Sequence, residues 1–196
     1  MKQKLIFATT NQGKIKEVRQ ILSGLEYEIL TTKEAGIEVE IEENGTSFLE
    51  NAFIKAQTIH DLTGAVVLAD DSGLEIDYLD KAPGIYSSRY LGEDTPYDVK
   101  NRIILEKLKD AKEEERTARY VCAIAAIMAD GTKKSAVATV EGLIARKPAG
   151  DGGFGYDPIF YVPSYKKTMA SLTPEEKNAI SHRGKALREI KKVLDK

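Results

Sequence analysis

Two adjacent carboxylates are the residues of this sequence with the clearest chemical potential. Asp70 and Asp71 follow the apolar run 65–69 and precede Ser72 and Gly73. Such a run predicts a buried strand, and ligands in open α/β sheets gather beyond the carboxyl ends of strands. Neighbouring strand residues point to opposite faces, so the two carboxylates need not serve one site. Clustered negative charge favours a hard cation such as Mg²⁺, and the alternative is a sharp Ser-Gly turn in which an aspartate caps backbone amides.

A second candidate segment joins the first predicted strand to the first predicted helix. Residues 9–14 are Thr-Thr-Asn-Gln-Gly-Lys. Backbone N–H groups at a helix N-terminus bind anions, and Lys14 adds a compact positive charge. One glycine fits neither the dinucleotide fingerprint nor the Walker A spacing. The segment therefore predicts either a phosphate cradle or a tight turn with Asn11 in the left-handed conformation.

Three other segments contain polar or aromatic side chains that could contact a ligand. Lys55 lies beside Asn51 on the flank of a predicted amphipathic helix that begins at Ser47, where a lysine can snorkel to water or project into a cleft. Segment 152–158, Gly-Gly-Phe-Gly-Tyr-Asp-Pro, suits stacking on a nucleobase, and its alternative is a packed turn. Segment 181–183, Ser-His-Arg, interrupts the C-terminal helical region with a cap and two hydrogen-bond donors.

Composition excludes several classes of protein. The 196 residues suit a single domain over 1–196, and 42% hydrophobic residues with a net charge of −2 give no basic balance to attract nucleic acid or anionic membrane. The N-terminal apolar segment is too short for a signal peptide, and no segment is long enough to span a membrane. Cys122, the single cysteine, is interpreted as a core residue of a protein in the reducing cytoplasm, and His60 as a packing residue.

The elements that position these residues follow from hydrophobic periodicity and turn signals. Strands are predicted at 4–8, 27–30, 65–69, 74–77, 120–129, 133–146 and 159–162. Helices are predicted at 15–22, 47–63 and 95–108, and in the C-terminal region from 173 onward. The charged run 109–119 is interpreted as a solvated face or linker. Alternating elements followed by an Asp130-Gly131 hairpin predict an α/β fold with a long mixed sheet flanked by helices.

Five segments, in order along the chain, together resemble the inosine/xanthosine triphosphate pyrophosphatase family. They are residues 9–14, 69–74, 82–90, 152–160 and 176–183. Enzymes of this family hydrolyse non-canonical purine nucleoside triphosphates to the monophosphate and pyrophosphate. The resemblance implies a homodimer that requires Mg²⁺. It also implies protomers with a long mixed sheet and two lobes with a substrate cleft between them.

The resemblance also implies roles for individual residues. Asp71 corresponds to the catalytic proton acceptor and metal ligand, and Glu42 to a second metal-binding acid, with Glu43 as its alternative. The implied contacts of the triphosphate are Thr9, Thr10, Asn11, Gln12, Gly13, Lys14 and Lys55, with Ser72 as a substrate contact beside Asp71. The implied contacts of the base and sugar are Phe154, Gly155, Tyr156, Asp157, Lys177, His182 and Arg183.

The chemistry of these residues agrees with such substrates. Lysines and Mg²⁺ neutralise a triphosphate, and Asp71 is suited to deprotonate water. A 6-oxo purine presents an acceptor where adenine presents an amino donor, so Lys177 or Arg183 would favour ITP, dITP and XTP over ATP. Guanine carries the same 6-oxo group, so these donors do not explain how GTP would be rejected. A related pyrophosphatase with another base preference and a non-catalytic nucleotide sensor are the alternative functions.

Overall fold

The computed structural model describes residues 2–194, and seven strands within that range form one sheet. Their order across the sheet is β2-β1-β3-β4-β5-β6-β7. The strands are β1 (Gln3–Phe7), β2 (Tyr27–Thr31), β3 (Val66–Ile76), β4 (Thr117–Ile127), β5 (Lys133–Ile144), β6 (Phe160–Val162) and β7 (Lys167–Thr168). Strand β1 pairs parallel to β2 and β3, whereas β6 pairs antiparallel to β5 and β7. The predicted mixed sheet is confirmed.

Five helices lie in this part of the chain, and several have clear capping residues. They are α1 (Gln12–Ile21), α2 (Phe48–Thr63), α3 (Tyr97–Lys107), α4 (Pro174–Ile180) and α5 (His182–Leu194). Ser47 caps α2 by accepting from the Glu50 amide, and Gly64, at φ 63°, ends it in the left-handed conformation. Thr173 and Glu176 form a capping box at the start of α4, where the C-terminal helical region was predicted to begin. No helix among residues 2–194 is long and apolar enough to cross a membrane.

The chain divides into two compact units. The first unit runs to Asp71 and also contains Cys122–Ala138 and the chain from Arg183 onward. The second unit contains Ser72–Val121 and Thr139–His182. Each unit has its own buried apolar residues, and Cys122 is buried in the first, as predicted.

In the first unit, helices cover both faces of the sheet. Leu5 and Phe7 of β1 belong to the same apolar cluster as residues of α1 and α5, whereas Ile6 belongs with Ala52 and Ile59 of α2. Successive strand residues alternate between faces, which explains why neighbours in β1 contribute to different clusters. The strands of the first unit therefore pack between two helical layers.

Two local predictions are wrong. Strand β3 does not stop before Asp70 but continues unbroken through Ser72 and Gly73 to Ile76, so the carboxylates lie within a strand and not at its end. The charged run 109–119 is not uniformly solvated, because Arg116 is buried and β4 already begins at Thr117. The Arg116 guanidinium donates to the carbonyls of Leu108, Ile144 and Ala145 at 2.6, 2.8 and 2.8 Å.

Candidate active site

Asp70 lies in a buried cluster of opposite charges in the first unit. Its Oδ2 atom lies 3.0 Å from Lys14 Nζ and 3.2 Å from Arg183 Nε. Arg183 also contacts Glu17, at 2.5 Å between Nη1 and Oε2. Burial alone would raise the pKa of Asp70, but Lys14, Arg183 and Lys55 outweigh it and hold that pKa well below its usual range. Asp70 is therefore ionised at neutral pH and forms ion pairs with Lys14 and Arg183.

Asp71, the next residue, has a different environment. Asn51 donates to its Oδ2 atom at 3.2 Å, and Lys55 Nζ lies 3.9 Å from its Oδ1 atom. Lys55 pairs more closely with Glu43, at 3.0 Å to Oε2. The pKa of Asp71 is raised, chiefly by burial and also by the Glu43 charge, while Lys55, Lys14 and the Asn51 hydrogen bond act in the opposite direction. A carboxylate whose pKa is shifted toward neutrality is better suited to accept a proton than an ordinary one.

The segment 9–14 leads directly into α1 of the first unit. Asn11 is the N-cap, with φ −74°, and its side chain accepts from the Lys14 amide at 3.1 Å. The alternative of a left-handed Asn11 is therefore wrong. Thr9 accepts in turn from the Asn11 amide at 3.2 Å. Thr10, Asn11 and Gln12 are exposed at the start of the helix, so the loop combines accessible backbone with the positive end of a helix dipole.

The second unit contains a buried polar cluster around Asp157. Its Oδ1 atom accepts from the Tyr120 hydroxyl at 3.0 Å, and its Oδ2 atom accepts from Lys177 Nζ at 2.7 Å. The Phe154 amide also donates to Oδ2, at 2.9 Å. His182 stacks on the Tyr120 ring, with centroids 4.7 Å apart and planes inclined by 12°. Burial, and then Asp157, raise the pKa of Tyr120 well above its usual value, so its hydroxyl stays a donor.

Close packing shapes the loop that carries Phe154. A Cβ atom at Gly153, where φ is +68°, would lie 2.2 Å from Asp157 Oδ2, so this turn requires glycine. Lys177 Nζ lies 4.4 Å from the centre of the Phe154 ring, within cation–π range. Tyr156 donates to the Ser87 carbonyl at 2.6 Å, and Gly155 accepts from Asn101 at 3.2 Å. The loop is thus held in place from several directions within the second unit.

Comparison with known proteins gives the family. The sequence profile of the Ham1 family matches residues 5–193. The chain belongs to the Ham1 family. It is 47% identical to a Clostridium perfringens dITP/XTP pyrophosphatase, over 98% of this chain and 97% of the relative. A Bacillus subtilis dITP/XTP pyrophosphatase is 46% identical, over 97% and 96%. The structure of a Coxiella burnetii HAM1 protein superimposes with a TM-score of 0.89 at 43% identity, covering 98% of each chain.

In this Ham1 family member, the predicted site residues fall into two groups. The first unit holds residues 9–14, Lys55, Asp71 and Arg183, and the second unit holds Ser72, Phe154–Asp157, Lys177 and His182. Arg183, predicted to contact the base or sugar, pairs with Asp70 and Glu17 in the first unit. Of the two acidic alternatives, Glu42 is exposed, and it is Glu43 that pairs with Lys55.

Two polar residues of these clusters were not among the predicted site residues. The sequence predicts no role for Asn51 beyond its position next to Lys55 on the flank of the helix. Their four-residue spacing places both side chains beside Asp71. Tyr120 lies in a predicted strand and has no local signal for its bond to Asp157, 37 residues away. His60 is the satisfied packing residue that we predicted, with Nδ1 2.8 Å from the Ala65 carbonyl oxygen.

Proposed function

We propose that this chain hydrolyses dITP, ITP and XTP to the nucleoside monophosphate and pyrophosphate. The observation that carries the proposal is the position of buried Asp71 beside Lys55, which pairs with Glu43, in a chain whose relatives are named dITP/XTP pyrophosphatases. The raised pKa of Asp71 supports it. Attack of water on a phosphoanhydride requires a general base and a cation that contacts the phosphates. A buried carboxylate that can accept a proton, next to a lysine, provides both. A sensor that only binds nucleotide would not need such a base.

The reaction divides between residues of the first unit. Asp71 accepts a proton from water as the water oxygen bonds to the α-phosphorus, and the α–β anhydride bond breaks with pyrophosphate as the leaving group. Lys14 and Lys55 contact the phosphates, together with the backbone of residues 9–13 and the N-terminus of α1. Asp70 stays ionised and positions Lys14. Arg183 supports this arrangement through Asp70 and Glu17.

Magnesium fits the acidic residues of the first unit. Glu43 and Asp71 offer carboxylate oxygens near one lysine, and the Glu43 charge already disfavours ionisation of Asp71. Among residues 2–194 there is no group of three or more His, Cys, Asp or Glu side chains that could hold a metal. Mg²⁺ is usually bound by one or two carboxylates, waters and substrate phosphates, so a third ligand is not needed. We assign Glu43 and Asp71 as its ligands; bound Mg²⁺ would polarise the phosphoryl group.

The second unit supplies base recognition in this proposal. Lys177 and His182 donate to the 6-oxo purine or the sugar, Phe154 and Tyr156 line the base, and Asp157 holds Lys177 in place. Ser72 contacts the substrate beside Asp71. We also propose that residues 1–196 form one domain with two lobes and a cleft between them. In this proposal the protein is a homodimer and acts on the cytoplasmic nucleotide pool, without nucleic acid or membrane partners.

Pyrophosphate release tests the proposal. Purified protein with Mg²⁺ is given dITP, ITP, XTP, GTP and ATP, and kcat/KM is measured for each. We expect kcat/KM for dITP, ITP and XTP to exceed that for ATP by about 5–150-fold, because a buried donor left unpaired costs about 1–3 kcal/mol. Preference for another base would favour the related pyrophosphatase, and tight binding of dITP without pyrophosphate release would favour the sensor.

A further inference from the structure

Asn51 joins the two acidic parts of the first unit. This side chain is fully buried in α2, and both ends of its amide are used. Nδ2 donates to Asp71 Oδ2 at 3.2 Å, and Oδ1 accepts from the Gly45 amide at 2.8 Å. Gly45 lies two residues after Glu43. One amide therefore connects the catalytic carboxylate to the loop that carries the second acid.

The loop approaches Asn51 so closely that only glycine fits at position 45. A Cβ atom there would lie 2.7 Å from Asn51 Oδ1, 2.8 Å from Glu50 Cβ and 3.1 Å from the Asn51 nitrogen. The next residue, Thr46, donates from both its amide and its hydroxyl to Glu50, at 2.7 and 2.8 Å. Position and direction of the Glu43 loop are thus determined by the first turn of α2.

The same helix also orients the Asp71 carboxylate. Asn51 contacts Oδ2, whereas Lys55, four residues later and so on the same face of α2, lies toward Oδ1. Lys55 is itself paired with Glu43. The two oxygens of Asp71 are therefore distinguished by their neighbours, and loss of the Asn51 donor would remove one of the contacts that orient the carboxylate.

We propose that Asn51 is a positioning residue for phosphoanhydride hydrolysis, which presents Asp71 and Glu43 in one fixed arrangement. The inference rests on the proposed pyrophosphatase function. It predicts that loss of the Asn51 amide damages turnover and the binding of a divalent cation, and leaves nucleotide recognition by the second unit intact. Residues that orient a metal ligand typically contribute about 10–100-fold to metal affinity or activity.

The test compares Asn51→Ala, Asn51→Asp and the control Gln57→Ala in the full chain. Gln57 is another amide of α2 that donates to a carboxylate, Asp61, at 2.7 Å, away from the site. Steady-state kcat and KM for dITP, thermal midpoint, and Mn²⁺ binding to the nucleotide-free protein by electron paramagnetic resonance are measured for each. Mn²⁺ is the probe because it is paramagnetic and accepts the same oxygen ligands as Mg²⁺.

The two Asn51 variants separate positioning from simple support of the fold. For Asn51→Ala we expect kcat to fall about 10–100-fold and Mn²⁺ affinity to fall in parallel, with KM changed less than about threefold. Asn51→Asp keeps an acceptor for the Gly45 amide and adds a carboxylate. Its kcat should therefore fall equally while Mn²⁺ affinity is retained. Gln57→Ala should match the wild type.

One result would overturn the positioning role of Asn51, and a different result would overturn the proposed function. Wild-type kcat and Mn²⁺ affinity in both Asn51 variants, with Asp71→Asn inactive, would overturn the positioning role and leave the proposed function intact. Lack of dITP and XTP hydrolysis by the folded wild type and by Gln57→Ala would overturn the proposed function itself. If Asn51→Ala does not fold, the kcat of Asn51→Asp decides the question, because wild-type kcat in that folded variant would overturn the positioning role.

Discussion

The Asp71 and Asp157 clusters contain similar groups but arrange them differently. Each has a buried aspartate, a lysine and a neutral donor, which is the Asn51 amide in one case and the Tyr120 hydroxyl in the other. Lys177 lies 2.7 Å from Asp157, whereas Lys55 lies 3.9 Å from Asp71 and is closer to Glu43. The close Lys177 ion pair and the Phe154 amide bond hold the loop around Asp157, whereas the cation near Asp71 is farther away and burial raises the pKa of that carboxyl. We infer that Asp157 is a scaffold and Asp71 a base.

The largest expected effect that separates these roles is that of Asp71→Asn. An amide cannot accept the proton of the attacking water, and loss of a general base typically costs about 10²–10⁴-fold in rate. We expect kcat for dITP to fall by that factor with the fold retained, as measured by pyrophosphate release and circular dichroism. Asp61→Asn, at an exposed carboxylate of α2, is the matched control. Near-normal turnover by folded Asp71→Asn would remove Asp71 from the mechanism.

Asp157→Asn should have a smaller effect, and on a different kinetic constant. The variant leaves the buried Lys177 without its anionic partner and weakens the bond to the Phe154 amide. Leaving a buried group unsatisfied costs about 1–3 kcal/mol, which corresponds to about 5–100-fold in affinity. Because Asp157 is proposed to act on substrate binding alone, we expect KM for dITP to rise by that factor and kcat to change less than about threefold. A fall in kcat alone would contradict the scaffold role.

The third prediction, with a smaller expected effect, concerns base selectivity and compares Lys177 with Arg183. Lys177 is a proposed reader of the 6-oxo group, whereas Arg183 contacts Asp70 and Glu17. Lys177→Met should therefore narrow the ratio of kcat/KM for ITP to that for ATP by about tenfold, the value of one hydrogen bond to a charged group. Arg183→Met should lower both values together and keep the ratio. A narrowed ratio in Arg183→Met would instead support the direct base contact implied by the sequence resemblance.

Local patterns predicted most elements of this fold, and they were wrong where distant contacts decide the structure. Periodicity and caps located α2 and α4, since both signals lie within a few residues of each other. Strand β3 continues through a Ser-Gly pair that normally indicates a turn, because pairing within a sheet overrides weak local preference. Arg116 is buried by carbonyls up to 29 residues away, which no window of sequence reveals.

In the candidate site, too, local sequence patterns predict some features, and contacts between distant residues determine the others. Alternation along a strand led us to expect that Asp70 and Asp71 need not serve one site, and their nearest partners do differ, because that periodicity is a property of the backbone. The sequence does not show which of Glu42 and Glu43 reaches Lys55; the path of the loop before α2 brings Glu43 to it. Tyr120 joins Asp157 across 37 residues, so only the tertiary structure relates them.

The smallest expected effect is on stability, and its sign carries the information. The folded-state pKa of Asp71 lies above the ordinary value of 3.8, because burial opposes its charge. As pH rises through the interval between these two values, the unfolded chain loses its proton first, so wild-type stability falls relative to Asp71→Asn, which has no proton to lose there.

The folded-state pKa of Asp70 is lowered, so Asp70→Asn should instead lose a stabilisation that is present above pH 3.8 and disappears at more acid pH. Urea unfolding in EDTA from pH 3 to 7 measures both differences. If Asp71→Asn lost stability relative to the wild type as pH rose, the Asp71 carboxylate would be stabilised by its neighbours, and the contrast between two adjacent aspartates of opposite pKa direction would not hold.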